Sequence, residues 1–177
     1  MKEGILLLSG KVYSYDDPLS NVITIEDIAI GLSKICRYLG QVPYMYTVAQ
    51  HSVYVSYAIE PEYALEGLLH DATEAVLGDC PTPLKAKLPD YKRMERLHES
   101  YMMSRFGLDY PMRPEVHVAD KAVFAAEIRD LRPDDWDHYD LSGIEPFEME
   151  IEPWPCWVAR EMFLQRYQDL MALRVIN

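Results

Sequence analysis

Gly67-Leu68-Leu69-His70-Asp71-Ala72-Thr73-Glu74-Ala75-Val76-Leu77-Gly78 reads as the end of a helix that carries polar chemistry on the border of an apolar face. Pro61 suits the first position of that helix, and Gly78 is a natural stop after Leu77. Two leucines lead directly into an adjacent His-Asp pair. His70 and Glu74 are four apart and Asp71 and Glu74 three apart, so all three can project to one side.

Working back from this helix, Thr47 with Gln50 has the spacing of a capping box and opens a second helix, with His51 in its first turn. Gln41 to Tyr46 contains Pro43 and reads as extended or looped. A first helix starts after Thr24, with Asp27 at capping-box distance; Ile25, Ile28, Leu32 and Ile35 follow at helical spacing toward a stop at Gly40. Residues 5–15 read as two short extended runs around a Ser9-Gly10 turn, a short N-terminal β-hairpin.

Working forward, Asp79 to Lys85 is expected as a proline-locked loop. Helices follow over Asp90 to Phe106 and Glu115 to Leu131, with a connection between them at 107–114. Residues 133–153 read as an acidic surface excursion with a short strand near Phe147 to Ile151, and a last helix runs over about 155–174. The expected fold is all-α: a helical bundle with that hairpin, a single domain over 1–177 whose motif-bearing core spans about 25–131.

Composition narrows the function classes. The chain has 177 residues, 49% of them hydrophobic and 26% charged, enough for a packed globular core. The early apolar run Ile5 to Leu8 is too short for a signal-peptide core or a membrane span, so a cytoplasmic protein with no membrane partner is expected. Three scattered cysteines, Cys36, Cys80 and Cys156, offer no CxxC pair and suggest neither a disulfide framework nor a zinc knuckle. The net charge of −12, from 29 acidic and 17 basic residues, opposes binding of duplex nucleic acid. A small phosphorylated ligand stays compatible with it, needing only local cations.

Asp120 lies among Val118, Ala119, Ala122 and Val123, where an acid is costly to bury unless it meets a cation. With His51, His70 and Asp71 it gives two imidazoles and two carboxylates, a set suited to a divalent transition metal with coordination positions left for water. Each residue also has an ordinary reading. A lone histidine is commonly a packing residue, Arg37 suits a helix C-terminus, Asp79 a turn, and Lys85 a solvated surface. His98, His117 and His138 are assigned to packing or surface, with His117, three residues before Asp120, the one near enough to approach the site.

Tyr46-Thr-Val-Ala-Gln-His51-Ser, followed by Gly67 through Glu74 and on through Gly78-Asp79-Cys-Pro81-Thr-Pro83-Leu-Lys85, closely resembles the HD-domain phosphohydrolases. Within them it is similar to the YfbR-type 5′-deoxynucleotidases and the phage DatZ-type dATP triphosphohydrolases. The resemblance covers roughly residues 25–131. It implies an HD-type helical bundle with one divalent metal ion (Zn, Co, Mn, Fe, Ni or Mg), held by His51, His70, Asp71 and Asp120. Glu74 and Asp79 would be the catalytic acids, with Arg37, Tyr38 and Lys85 on the substrate. Tyr38 stands where the YfbR group has tryptophan, and the connection from His51 to His70 is shorter than in that group.

The implied activity is hydrolysis of a small (deoxy)nucleotide at its 5′ phosphorus, as a monophosphatase or a dNTP triphosphohydrolase, by a homo-oligomer (dimer or hexamer). The rivals are an HD hydrolase of cyclic nucleotides or alarmones, a metal- or nucleotide-binding regulatory protein without turnover, and a purely structural bundle.

Overall fold

The computed structural model describes residues 4–176. A two-stranded antiparallel hairpin, β1 (Ile5–Leu6) and β2 (Val12–Tyr13), leads into eight helices: α1 (Ile25–Leu32), α2 (Val48–Tyr57), α3 (Ala64–Leu69), α4 (Glu74–Leu77), α5 (Thr82–Lys85), α6 (Pro89–Arg105), α7 (Pro114–Leu131) and α8 (Cys156–Ile176). The chain is all-α apart from this hairpin, as the sequence predicts. No helix among the described residues is long and apolar enough to cross a membrane.

Helix α1 begins with a complete capping box. The Thr24 side chain accepts from the Asp27 N–H, while Asp27 accepts from the Thr24 N–H and hydroxyl at 3.1 Å. The other Asp27 oxygen accepts from the Ser9 N–H at 2.9 Å, so this one carboxylate ties the hairpin turn to the helix start. Burial opposes the charge, but these hydrogen bonds prevail and hold the Asp27 pKa below the ordinary carboxylate range. Asp27→Ala is expected to cost about 1–2 kcal/mol, as lost caps do, read by urea unfolding. Because the folded pKa is the lower one, the stabilisation is full above the unfolded value near 3.9 and is lost as pH falls through the folded pKa. The gap between wild type and Asp27→Asn therefore narrows below about pH 4.

The first helix ends earlier than its apolar period suggests. Ile35 is periodic, yet α1 stops at Leu32, and Cys36 pairs with Thr47 in an isolated antiparallel bridge. Arg37–Gly40 then forms a 3-10 turn in which Tyr38 (φ 58°) and Leu39 (φ 53°) are left-handed. Two consecutive non-glycine residues in that region are strained and need tertiary contacts to hold them.

Helix α2 is the centre of the fold. Every residue from Val48 to Ser56 is buried, so the helix has no solvent face. One side packs with α1, α3, α6 and α8 in the main core, where Ile28, Leu32, Leu68, Met102 and Phe163 are fully enclosed. The opposite side, with Tyr54 and Val55, packs on Val123 and Ala126 of α7. A polar side chain on such a helix must find partners inside the protein. Gln50 does so away from its own cap: Thr47 accepts from the Gln50 N–H, but the Gln50 amide donates to the Glu152 carbonyl (2.7 Å) and accepts from the Trp154 N–H (2.8 Å). Only half of the expected capping box forms, because the side chain pins the segment before α8.

The third predicted helix is broken. After a 3-10 turn at Pro61–Tyr63, α3 ends at Leu69; Ala72 N–H bonds to Leu69 O and Glu74 N–H to Asp71 O before α4 resumes. In such tightened turns residues three apart eclipse, so the alignment of Asp71 with Glu74 is kept. Gly31 lets this segment close on α1: a Cβ there would lie 3.0 Å from the Ala75 Cα and carbonyl oxygen, next to Glu74. Gly78, at φ 82°, ends α4 as expected.

Two further expectations are corrected. Thr82–Lys85, read as loop, is the short helix α5, with Pro83 in its first turn where a missing N–H costs nothing. Residues 147–151 form no strand, because their backbone groups bond to α7 instead of another strand. The Phe147 N–H donates to the Ala122 carbonyl, the Ile151 N–H to Asp130, and Arg129 donates to the Phe147 and Met149 carbonyls. The acidic stretch also opens with a 3-10 turn at Pro133–His138.

Candidate metal centre

Three separate segments bring four of the sequence candidates together. Helix α2 carries His51, the turn between α3 and α4 carries His70 and Asp71, and α7 carries Asp120. His51 Nε2 lies 3.1 Å from Asp120 Oδ1 and 3.7 Å from Asp71 Oδ2; His70 Nε2 lies 3.1 Å from Asp71 Oδ2 and 4.0 Å from Asp120 Oδ1. One ligand atom each from His51, His70 and Asp120 falls within 4.8 Å of the others, the one group of this kind among the described residues. Asp71 adjoins it through its contacts with both imidazoles. The rings are enclosed, while Asp120 is 37% exposed and opens the cluster to solvent.

The orientation of the two rings fits the residues for a cation. His70 Nδ1 donates to the Gly67 carbonyl at 2.8 Å, and His51 Nδ1 meets Glu127 Oε1 at 2.6 Å. Both Nε2 atoms are buried and lack a hydrogen-bond partner of acceptable geometry, facing the two aspartates. Unpartnered buried nitrogens beside carboxylates are costly unless they meet a shared cation. Imidazole and carboxylate together suit a divalent transition metal. With neutral imidazoles, Asp71, Asp120 and Glu127 face the single Arg37 guanidinium, which leaves the negative excess that a divalent ion neutralises.

The same excess shapes the acidities. Burial and Arg37 disfavour a charged His51, but Glu127 and Asp120 outweigh them and hold its pKa up at about 9. His70 is raised likewise, burial being overcome by Asp71 and Asp120. Asp71 and Asp120 are depressed despite burial by the neighbouring imidazoles.

Arg37 sits beside the cluster, its guanidinium 3.8 Å from Asp71 and its Nε 3.2 Å from Glu127 Oε2. It lies in the left-handed turn and not at the end of a helix, so the dipole reading of this residue does not apply. Tyr38, expected on the substrate, places its hydroxyl on Glu127 Oε2 and stacks on Phe124. Glu74 is half-buried, with its Oε2 enclosed and unpartnered; desolvation, Asp71 and Asp79 raise its pKa well above the ordinary value. Asp79 is raised as well, mainly by burial. Lys85 is turned to Glu95, at 2.5 Å, although its charge still acts on Glu74.

His117 is exposed on α7 and outside the cluster, and His98 is a core residue bonded to the Tyr13 hydroxyl and the Tyr15 carbonyl. The residue that sequence reasoning missed is Glu127, fully buried and in contact with His51, Arg37 and Tyr38. Its signal was available: Glu127 follows Asp120 by seven residues, two helical turns, on the same face of α7.

No protein-family model matches the chain. It is 43% identical over 172 residues to the uncharacterized protein YfdR of Escherichia coli K12, covering 96% of this chain and 97% of YfdR. An uncharacterized Rhodobacter capsulatus protein is 36% identical over 133 residues, 70% of this chain and 68% of that one. Identity at that level over nearly the whole of both chains shows that this protein belongs to the YfdR family.

Proposed function

We propose that this protein is a cytoplasmic, metal-dependent phosphohydrolase of the HD type that acts on small (deoxy)nucleotides. The observation that carries the reading is the convergence of His51, His70, Asp71 and Asp120 with both Nε2 atoms unpartnered and the Arg37 guanidinium alongside. A bound divalent ion would lower the pKa of water and offset charge on a phosphoryl oxygen.

The chain's own residues supply the rest. Arg37 has donors left after its bond to Glu127 and faces the open side near Asp71, where it would hold a phosphoryl oxygen. Glu74, one short turn from Asp71, carries a carboxyl whose pKa is raised by burial and by Asp71 and Asp79, which suits it to exchange a proton with the attacking water and the leaving group. Asp79, half-buried after Gly78, would steer the sugar side of the substrate. Lys85 reaches a phosphate only by leaving Glu95, so it acts on the substrate more weakly than Arg37.

The deciding experiment is phosphate release by metal-stripped protein over all ribo- and deoxynucleotide mono- and triphosphates, with each divalent metal restored separately. Metal-restored release confined to certain deoxynucleotides is the expected result. No release from any of them, by protein that still binds metal, would sink the hydrolase reading.

A further inference from the structure

Among the described residues, Glu127 is the most enclosed charge that the hydrolytic roles leave unused. It is fully buried on α7, and its two oxygens serve different partners. Oε1 meets His51 Nδ1 at 2.6 Å, while Oε2 accepts from the Tyr38 hydroxyl at 2.5 Å and from Arg37 Nε at 3.2 Å. Burying a carboxylate this completely is unfavourable unless its lone pairs are filled, and here the partners come from distant places in the chain. One is on the central helix; the other two are in the left-handed turn 37–40, whose backbone is strained and needs an external hold.

The two histidines differ in what anchors them. His70 donates to a neutral backbone carbonyl, whereas His51 donates to a carboxylate. A carboxylate behind an imidazole fixes the Nδ1–H tautomer, aims the unprotonated Nε2 forward and makes its lone pair the more basic metal ligand. The same carboxylate restrains Arg37 at its Nε, leaving the guanidinium ends directed past Asp71.

We propose that Glu127 is a positioning residue that couples capture of the metal ion to placement of the phosphate-facing arginine. It orients His51 toward the ion through one oxygen and Arg37 toward the substrate through the other. The inference rests on the hydrolase reading above and goes beyond it: metal affinity and phosphate binding are set jointly by one buried carboxylate that touches neither ligand.

The test compares wild type with Glu127→Gln, which keeps shape and removes charge, and with Glu127→Asp. Zinc affinity is measured by chelator competition, KM and kcat on whichever nucleotide the phosphate-release screen identifies, and the His51 ring by long-range 1H–15N correlation in zinc-loaded protein. Glu127→Gln is expected to bind zinc about 10–100-fold more weakly, to raise KM as Arg37 loosens, and to shift the His51 ring signals. Glu127→Asp is expected to recover part of each effect. Zinc affinity and His51 signals unchanged in Glu127→Gln, with only thermal stability reduced, would overturn the inference and leave the metal centre standing. Should the variants fail to fold, the wild type decides alone: a His51 Nδ1 proton strongly deshielded by a short hydrogen bond to a carboxylate in zinc-loaded protein supports the inference, and an Nδ1 proton without that deshielding overturns it. Wild-type protein that binds none of Zn, Co, Mn, Fe, Ni or Mg stoichiometrically overturns the metal reading itself, and the inference with it.

Discussion

Asp71→Ala is expected to abolish both metal retention and hydrolysis while leaving the helical fold in place. Asp71 is the residue that contacts both imidazoles and Arg37, so its loss removes a proposed ligand and the main counter-charge between them. The remaining groups, His51, His70 and Asp120, would still converge, but with less negative charge to hold a divalent ion. An ion of this kind supplies several kcal/mol of transition-state stabilisation, so phosphate release should fall by roughly a thousandfold or more, about 4 kcal/mol. Metal content by mass spectrometry and phosphate release would be read on the same preparation, with circular dichroism to establish folding. An Asp71→Ala protein that keeps both its metal and its turnover removes Asp71 from the ligand set.

Glu74→Gln separates catalysis from metal binding. The side chain is half-buried, with one enclosed oxygen lacking a partner, and the charges of Asp71 and Asp79 help drive its carboxyl toward the protonated form. In the proposed mechanism this group exchanges protons and is not among the ligands of the ion. The expected outcome is an unchanged metal content with turnover lowered by about 10²–10⁴. Single-turnover kinetics at saturating nucleotide would check it. Loss of the ion instead would make Glu74 a ligand, and full turnover would leave it a packing residue.

Much of the architecture was legible because local signals and burial agree. The caps at Thr24 and Thr47, the stop at Gly78 and the apolar period of α7 all point to elements that form. The grouping of His51, His70, Asp71 and Asp120 was legible chiefly through the resemblance to the HD-domain phosphohydrolases, since each polar residue alone is a weak signal; the cost of burying an acid among apolar neighbours added to it. What was not legible depends on contacts distant in sequence. Ile35 keeps the helical period, but the Cys36 bridge to Thr47 and the hold of Glu127 on Arg37 and Tyr38 turn the chain away. Phe147 to Ile151 alternates like a strand, yet Arg129 and Asp130 take up its backbone groups. Glu127 itself lies just before Ile128-Arg129-Asp130, where it passes for one more member of a solvated charge run.

The position of α8 bears on how the protein is made. This helix packs along α1, α2 and α3, with Phe163 enclosed in the main core, and Arg166 bonds to Ser56 at the end of the helix that carries His51. A ribosome therefore finishes all four proposed ligands before it has made the helix that seals their scaffold. At roughly 5–20 residues per second the interval lasts a few seconds. Until α8 docks, the helix that carries His51 lacks one of its main packing partners, so the proposed ligand set would reach its final geometry only after that helix has been made.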